Sequence, residues 1–144
     1  MSKKLNTFQW ILSIIAIVLS IVAIAKVNKP NQIGEGAKSN TQYVLYLGTS
    51  DKDTNQPVFY SEEAKAEAES ILLKHFGRYT IQEADGGWVD GDTTYNEYTL
   101  VIYLSDTSID KVHAAADEML KTFNQSSVLI QANQTVTEFY DGAK

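Results

Sequence analysis

Apolar and polar positions divide the chain into one unbroken apolar run and a series of short periodic segments. The run extends from Phe8 to Val27, and its centre, Trp10 to Ala25 (WILSIIAIVLSIVAIA), holds no charge, proline or glycine. At about 1.5 Å per residue it matches the roughly 30 Å of bilayer hydrocarbon. A helix apolar on every side needs lipid or a larger protein around it. Beyond a polar stretch the pattern changes. Tyr43 to Leu47 is β-rich and ends at Gly48, which predicts a first strand. Ser61 is placed to cap a helix with Glu62 and Glu63 in its first turn. Its apolar stripe is Ala64, Ala68, Ile71, Leu72, His75 and Phe76, and Gly77 stops it. Tyr79 to Glu83 reads as a second strand, Asp85-Gly86-Gly87 as the start of a connection, and Tyr95 to Leu104 as a long third strand. From about Ser108, apolar or weakly polar positions (Ile109, Val112, His113, Ala116, Met119, Leu120, Phe123) recur every three or four residues, which predicts a second helix. Ser127 to Gln131 is a fourth strand, and Thr135 to Tyr140 an edge strand after a turn at Asn133-Gln134.

The order β-α-β-β-α-β predicts an α+β, ferredoxin-like sandwich, an antiparallel sheet with both helices on one face, following an N-terminal transmembrane or signal helix. Three regions follow: residues 1–27 as membrane anchor or signal, 28–41 as a flexible linker carrying Pro30, Gly34 and Gly36, and 42–144 as the folded domain.

The apolar run reads first as an uncleaved anchor, because it is longer than the usual signal core and Trp10 sits where an interfacial aromatic would. Ala23-Ile24-Ala25 also has the small-residue spacing of a cleavage site, so secretion after cleavage at Ala25 is the second reading. Lys3 and Lys4 on one side balance Lys26 and Lys29 on the other, so flanking charge does not orient the span. The usual behaviour of a short N-terminal anchor puts the domain outside the cell membrane.

Charge narrows the partners. All 18 Asp and Glu residues lie at or beyond Glu35, and the part following Lys26 carries nine Lys or Arg, a net charge of −9. Such a domain repels phosphate backbones, so no nucleic-acid partner is expected. The absence of cysteine excludes disulfides, thiolate metal sites and cysteine nucleophiles.

Three stretches carry a family resemblance. Tyr43-Val-Leu-Tyr-Leu-Gly-Thr-Ser-Asp-Lys-Asp-Thr54, Gly77-Arg-Tyr-Thr80 with Ala84-Asp-Gly-Gly-Trp88, and Asn124-Gln-Ser-Ser-Val-Leu-Ile130 resemble an uncharacterised bacterial family, a domain of unknown function. Its members more often have Asn where Ser50 stands. The resemblance implies a small ferredoxin-like domain over most of Tyr43 to Tyr140 and supplies no activity.

The topology places the Gly48–Tyr60 loop and the Ala84–Thr94 connection at one end, where Asp51, Asp53, Asn55, Asp85, Asp90 and Asp92 would gather with Trp88 and Tyr60. Asp51, Asp53, Asn55 and Glu62 match positions 1, 3, 5 and 12 of a calcium loop. Gln56 stands where that loop wants glycine, so the competing reading is an Asx turn leading into the helix. His75 and His113 are expected on apolar helix stripes at the opposite end, read first as two partly buried, satisfied histidines and second as a metal or pH-sensitive pair with Asp110 or Asp117 nearby. No catalytic fingerprint appears, so the reading leans away from an enzyme and leaves that question open. The sheet's free face, with Tyr46 (or Val44), Val101, Tyr103 and Leu129, and nearby Trp88, is the expected partner-binding surface. The leading reading is therefore a binding or self-association module at the cell surface, tethered through residues 8–27 and meeting a protein partner or a second copy as a homodimer. The alternatives are a small enzyme acting on an apolar substrate and a calcium-dependent binding module. A pocket holding Tyr46, Tyr103 and a positioned acid or histidine would favour the enzyme; a flat Tyr/Val patch would favour association.

Overall fold

Strict alternation builds the centre of the sheet. In the computed structural model, which describes residues Lys38–Gly142, the elements run β1 (Lys38–Gly48), α1 (Ser61–His75), β2 (Thr80–Asp90), β3 (Thr93–Leu104), α2 (Ile109–Thr122) and β4 (Leu129–Thr137). The compact unit Ser39–Thr135 contains both helices and nearly all of the sheet. The four strands lie in the order β2-β3-β1-β4, with β3 antiparallel to both its neighbours. The fold is the α+β, ferredoxin-like arrangement that the periodicity predicts.

Tyr43, Leu45 and Leu47 on β1 and Leu100, Ile102 and Leu104 on β3 point to one face. There they meet Ala64, Ala68, Ile71 and Leu72 of α1 and Val112, Ala115 and Met119 of α2. Phe123 closes the far end of α2 and meets Phe59 edge-on at 5.5 Å between centroids. Burial of this set is the main apolar stabilisation of the fold.

Several boundaries differ from expectation. β1 begins at Lys38, so the last four linker residues belong to the strand. β2 does not stop at Glu83. It pairs residue by residue with β3 from Thr80↔Tyr103 to Asp90↔Thr93, and Gly91-Asp92 makes the two-residue turn. Gly91 has φ +58 and takes the first central position, where a hairpin turn of this kind needs glycine. β4 likewise runs through Asn133-Gln134 without turning, held to β1 by Gln134 Nε2 donating to Thr41 Oγ1 at 3.1 Å and Thr135 Oγ1 to the Asn40 carbonyl at 3.3 Å. Ser61 is the first helical residue rather than the cap; Tyr60 occupies that position, and neither Tyr60 nor Ser108 makes a side-chain capping bond.

The anchor or signal of residues 1–27, and residues 28–37 of the linker, lie outside the described residues. Among the described residues no helix is long and apolar enough to cross a membrane.

Candidate functional site

The face of the sheet away from the helices is not a flat apolar patch. Val44 and Val101 are 4% and 7% exposed there, although they lie outside the helix-side core. Their neighbours cover them. Tyr103 stands opposite Val44, and Tyr46 and Gln82 stand on either side of Val101. Tyr103 donates to Gln82 Oε1 at 3.1 Å and Tyr46 to Gln131 Oε1 at 3.3 Å, so each ring is tied to an amide. The apolar surface that stays open lies towards the Gly48 end, where Leu129 is 58% and Trp88 43% exposed.

That end holds a groove of about 360 Å³ whose lining includes Tyr46, Gly48, Trp88, Glu97 and Leu129 on the sheet and Ser50 on the loop. The volume suits a small organic molecule. Glu97 is set by the register of β3: Tyr95, Glu97, Thr99, Val101 and Tyr103 share the free face. Its carboxylate occupies the space above Gly48 that a Cβ would fill, and the Ser50 N–H donates to its Oε2 at 3.2 Å. Gly86, opposite Glu97 on β2, gives the same clearance to Thr99 Oγ1. Two strand glycines thus lower the surface around one carboxylate, a use of glycine that a turn does not explain. Trp88 stacks on Tyr95 with centroids 4.4 Å apart and planes 19° apart.

The loop following Gly48 is held rigidly. Asp51 N–H donates to the Gln56 carbonyl at 2.8 Å, Asn55 N–H to the Asp51 carbonyl at 2.8 Å, and Val58 N–H to the Thr49 carbonyl at 3.1 Å. Asp51 Oδ1 accepts from the N–H groups of Asp53 (2.8 Å) and Thr54 (3.0 Å), an Asx turn. Asn124, at φ +45 just past α2, donates its amide to Asp51 Oδ2 at 2.8 Å and to Asp53 Oδ2 at 3.0 Å. Gln125 Nε2 adds a short bond to the Ser50 carbonyl. Hydrogen bonds from Asn124 first, and from the Asp53 backbone next, hold the Asp51 carboxyl below the usual aspartate range.

This geometry bears on the calcium expectation. Asp51 and Asp53 do converge, but onto the amide of Asn124 rather than onto an empty centre. Asn55 lines the groove and Glu62 lies exposed in the first turn of α1. Asp85, Asp90 and Asp92 lie along and at the tip of the extended hairpin. Among the described residues no group of three or more acidic, histidine or cysteine side chains is arranged to hold a metal.

At the opposite end His75 is half-buried and its Nε2 lies 2.9 Å from Glu118 Oε2. Lys74 donates to the same carboxylate at 2.9 Å, and with His75 it holds Glu118 below the usual glutamate range. His113 is exposed, so it is not on the apolar stripe; Ala115 takes the buried position. A recess of about 210 Å³ near His75 is lined also by Arg78, Asp106 and Lys111, which confirms that the end of α1 and the start of α2 meet.

Glu97, Asn124 and Gln125 were not among the expected site residues. The signal for Glu97 was its place in the Tyr95–Tyr103 alternation, two residues nearer the strand start than Thr99, which faces Gly48.

No protein-family model matches the chain, and no curated protein does. Solved structures do. A phage SAM lyase in complex with S-methyl-5'-thioadenosine is 17% identical over 76% of this chain and 92% of its own, with a TM-score of 0.53. The apo phage SAM lyase is 18% identical over 78% and 94%, with a TM-score of 0.54. CutA from Synechococcus elongatus PCC7942 is 7% identical over 72% and 86%, with a TM-score of 0.47. The likeness to the lyase is one of fold: a small ferredoxin-like domain.

Proposed function

We propose that the chain is an exported or membrane-tethered domain that binds a small organic molecule in the groove beside Gly48. The observation that carries this reading is the groove itself, in which Tyr46 and Trp88 flank a half-buried carboxylate. A pocket with Tyr46 and a positioned acid favours a small-molecule site over a flat association surface; Tyr103 lies outside it. The fold likeness supports the reading only in that a similar scaffold, the phage SAM lyase, holds S-methyl-5'-thioadenosine. The tether through residues 8–27, with the domain outside or secreted after Ala25, is proposed on the apolar run alone. The net charge of the domain keeps nucleic acid out of the proposal. The resemblance to a bacterial family of unknown function belongs to the same proposal.

A ligand-observed NMR screen of small aromatic and nucleoside fragments, S-methyl-5'-thioadenosine included, tests the reading on the full chain. Hits whose binding is lost in Trp88→Ala and kept in Tyr103→Glu support it. Hits that ignore Trp88 place binding elsewhere and sink it.

The second reading is association with another copy through the free face, favoured by the exposure of Leu129 and Trp88 on one surface. It requires a concentration-dependent dimer that Tyr103→Glu converts to monomer.

A further inference from the structure

The small-molecule reading of the groove leaves its ligand unspecified, and the inference made here rests on that reading. Gly48 and Gly86 remove side chains on β1 and β2, so Glu97 and Thr99 lie against the sheet instead of reaching past their neighbours. Glu97 is therefore half-buried and held in place, with Oε2 taken by the Ser50 N–H. Among the described residues its Oε1 accepts no hydrogen bond. A carboxylate fixed in this way repels anionic ligands and is poised to accept from a charged donor, the strongest kind of hydrogen bond available to it.

The rings supply the second half of the argument. One face of Trp88 is used by Tyr95, and the residue, which lines the groove, is still 43% exposed. Tyr46 lines the groove as well, its hydroxyl turned to Gln131. Electron-rich ring faces attract cations, and a flat ring stacks on them. Among the described residues the one basic side chain lining the groove is Lys52, which is exposed, so water and salt screen its charge.

We infer that the groove binds a small organic cation, an ammonium-type centre carried on a flat ring, with the cationic end at Glu97 and the ring against Trp88. Gly48 acts as a positioning residue, because an alanine there must push the carboxylate aside.

The test is a titration of the full chain, followed by amide NMR shifts, with two probes of one shape. Tryptamine carries an ammonium where tryptophol carries a hydroxyl. Tryptamine is expected to bind about tenfold tighter, the advantage of one charge-assisted contact. Glu97→Gln is expected to abolish that preference and to keep tryptophol binding, which also shows that the variant is folded. Equal affinities in the wild type, or a preference that survives Glu97→Gln, overturns the cation assignment and leaves the small-molecule reading standing. If neither probe moves the amides of Gly48, Ser50, Gly86 and Trp88, the groove reading falls and the cation assignment with it.

Discussion

Under the helices, Leu45, Leu47, Leu100, Ile102 and Leu104 are wholly enclosed, while on the opposite face of the same strands Val44 and Val101 are nearly as enclosed with no helix above them. The first face is closed by other elements, the second by tyrosine rings and glutamine amides from neighbouring strand positions. Apolar burial on the helix side is extensive and tolerates no water. The free side has a thin cover that is polar at its outer surface, and the groove beside Trp88 lies where two strand glycines lower that cover. The difference separates what holds the fold together from what is left to do work.

Unequal loss of stability on the two faces is the first way to sharpen this comparison. Leu45→Ala is expected to destabilise by about 2–5 kcal/mol, because a void in the helix-side core cannot be filled. Val101→Ala removes two methyl groups beneath a cover that can settle, and about 1.5 kcal/mol is expected. Urea melts of the two variants check the order; equal losses would mean that the free face is as tightly packed as the core. Gly86→Ala is expected to cost a comparable amount, about 1–3 kcal/mol, since its Cβ runs into the hydroxyl of nearly buried Thr99.

Gly48→Ala is expected to leave stability almost unchanged, because its Cβ meets only the carboxylate end of Glu97, which a single hydrogen bond from Ser50 holds there. It should nevertheless displace the Glu97 carboxylate and weaken tryptamine binding. A variant that lost stability but kept binding would reverse the roles assigned to the two glycines.

The smallest effect is electrostatic. The Asp51 carboxyl lies below the usual aspartate range when folded, so its contribution to the loop is present above the unfolded value of about 3.9 and is lost as pH falls through the folded one. Asn124→Ala removes the main cause of that depression. Carboxyl NMR should then find Asp51 titrating closer to the ordinary range, and amide exchange in the Asp51–Asn55 loop should speed up. An unchanged titration would show that the loop holds itself without Asn124.

Element order and the inward face were legible because local period and burial agree: Leu45, Leu47, Leu100, Ile102 and Leu104 alternate and are all enclosed. The hairpin was not legible from local signals. Gly86-Gly87 has the composition of a turn, yet pairing with Glu97 and Asn96 carries the strand through it. Asn133-Gln134 misled in the same way, because backbone and side-chain bonds to β1 outweighed its turn preference. The candidate site was half legible. Tyr46, Trp88 and Leu129 border the groove, while Val101 and Tyr103 belong to the covered part of the face. Glu97 was hidden because its meaning comes from glycines on two other strands, which only the sheet register brings together.

The central claim is that the working part of the free face is its uncovered groove and not the face as a whole. Amide NMR spectra of the chain, recorded over a wide dilution series and then with the bound fragments of the screen, test it most directly. The account predicts that dilution leaves Val44, Tyr46, Val101 and Tyr103 unmoved, while ligand shifts concentrate at Gly48, Ser50, Gly86 and Trp88. Shifts spreading across Val44, Val101 and Tyr103 on dilution alone would contradict it and make the whole face an interface between copies.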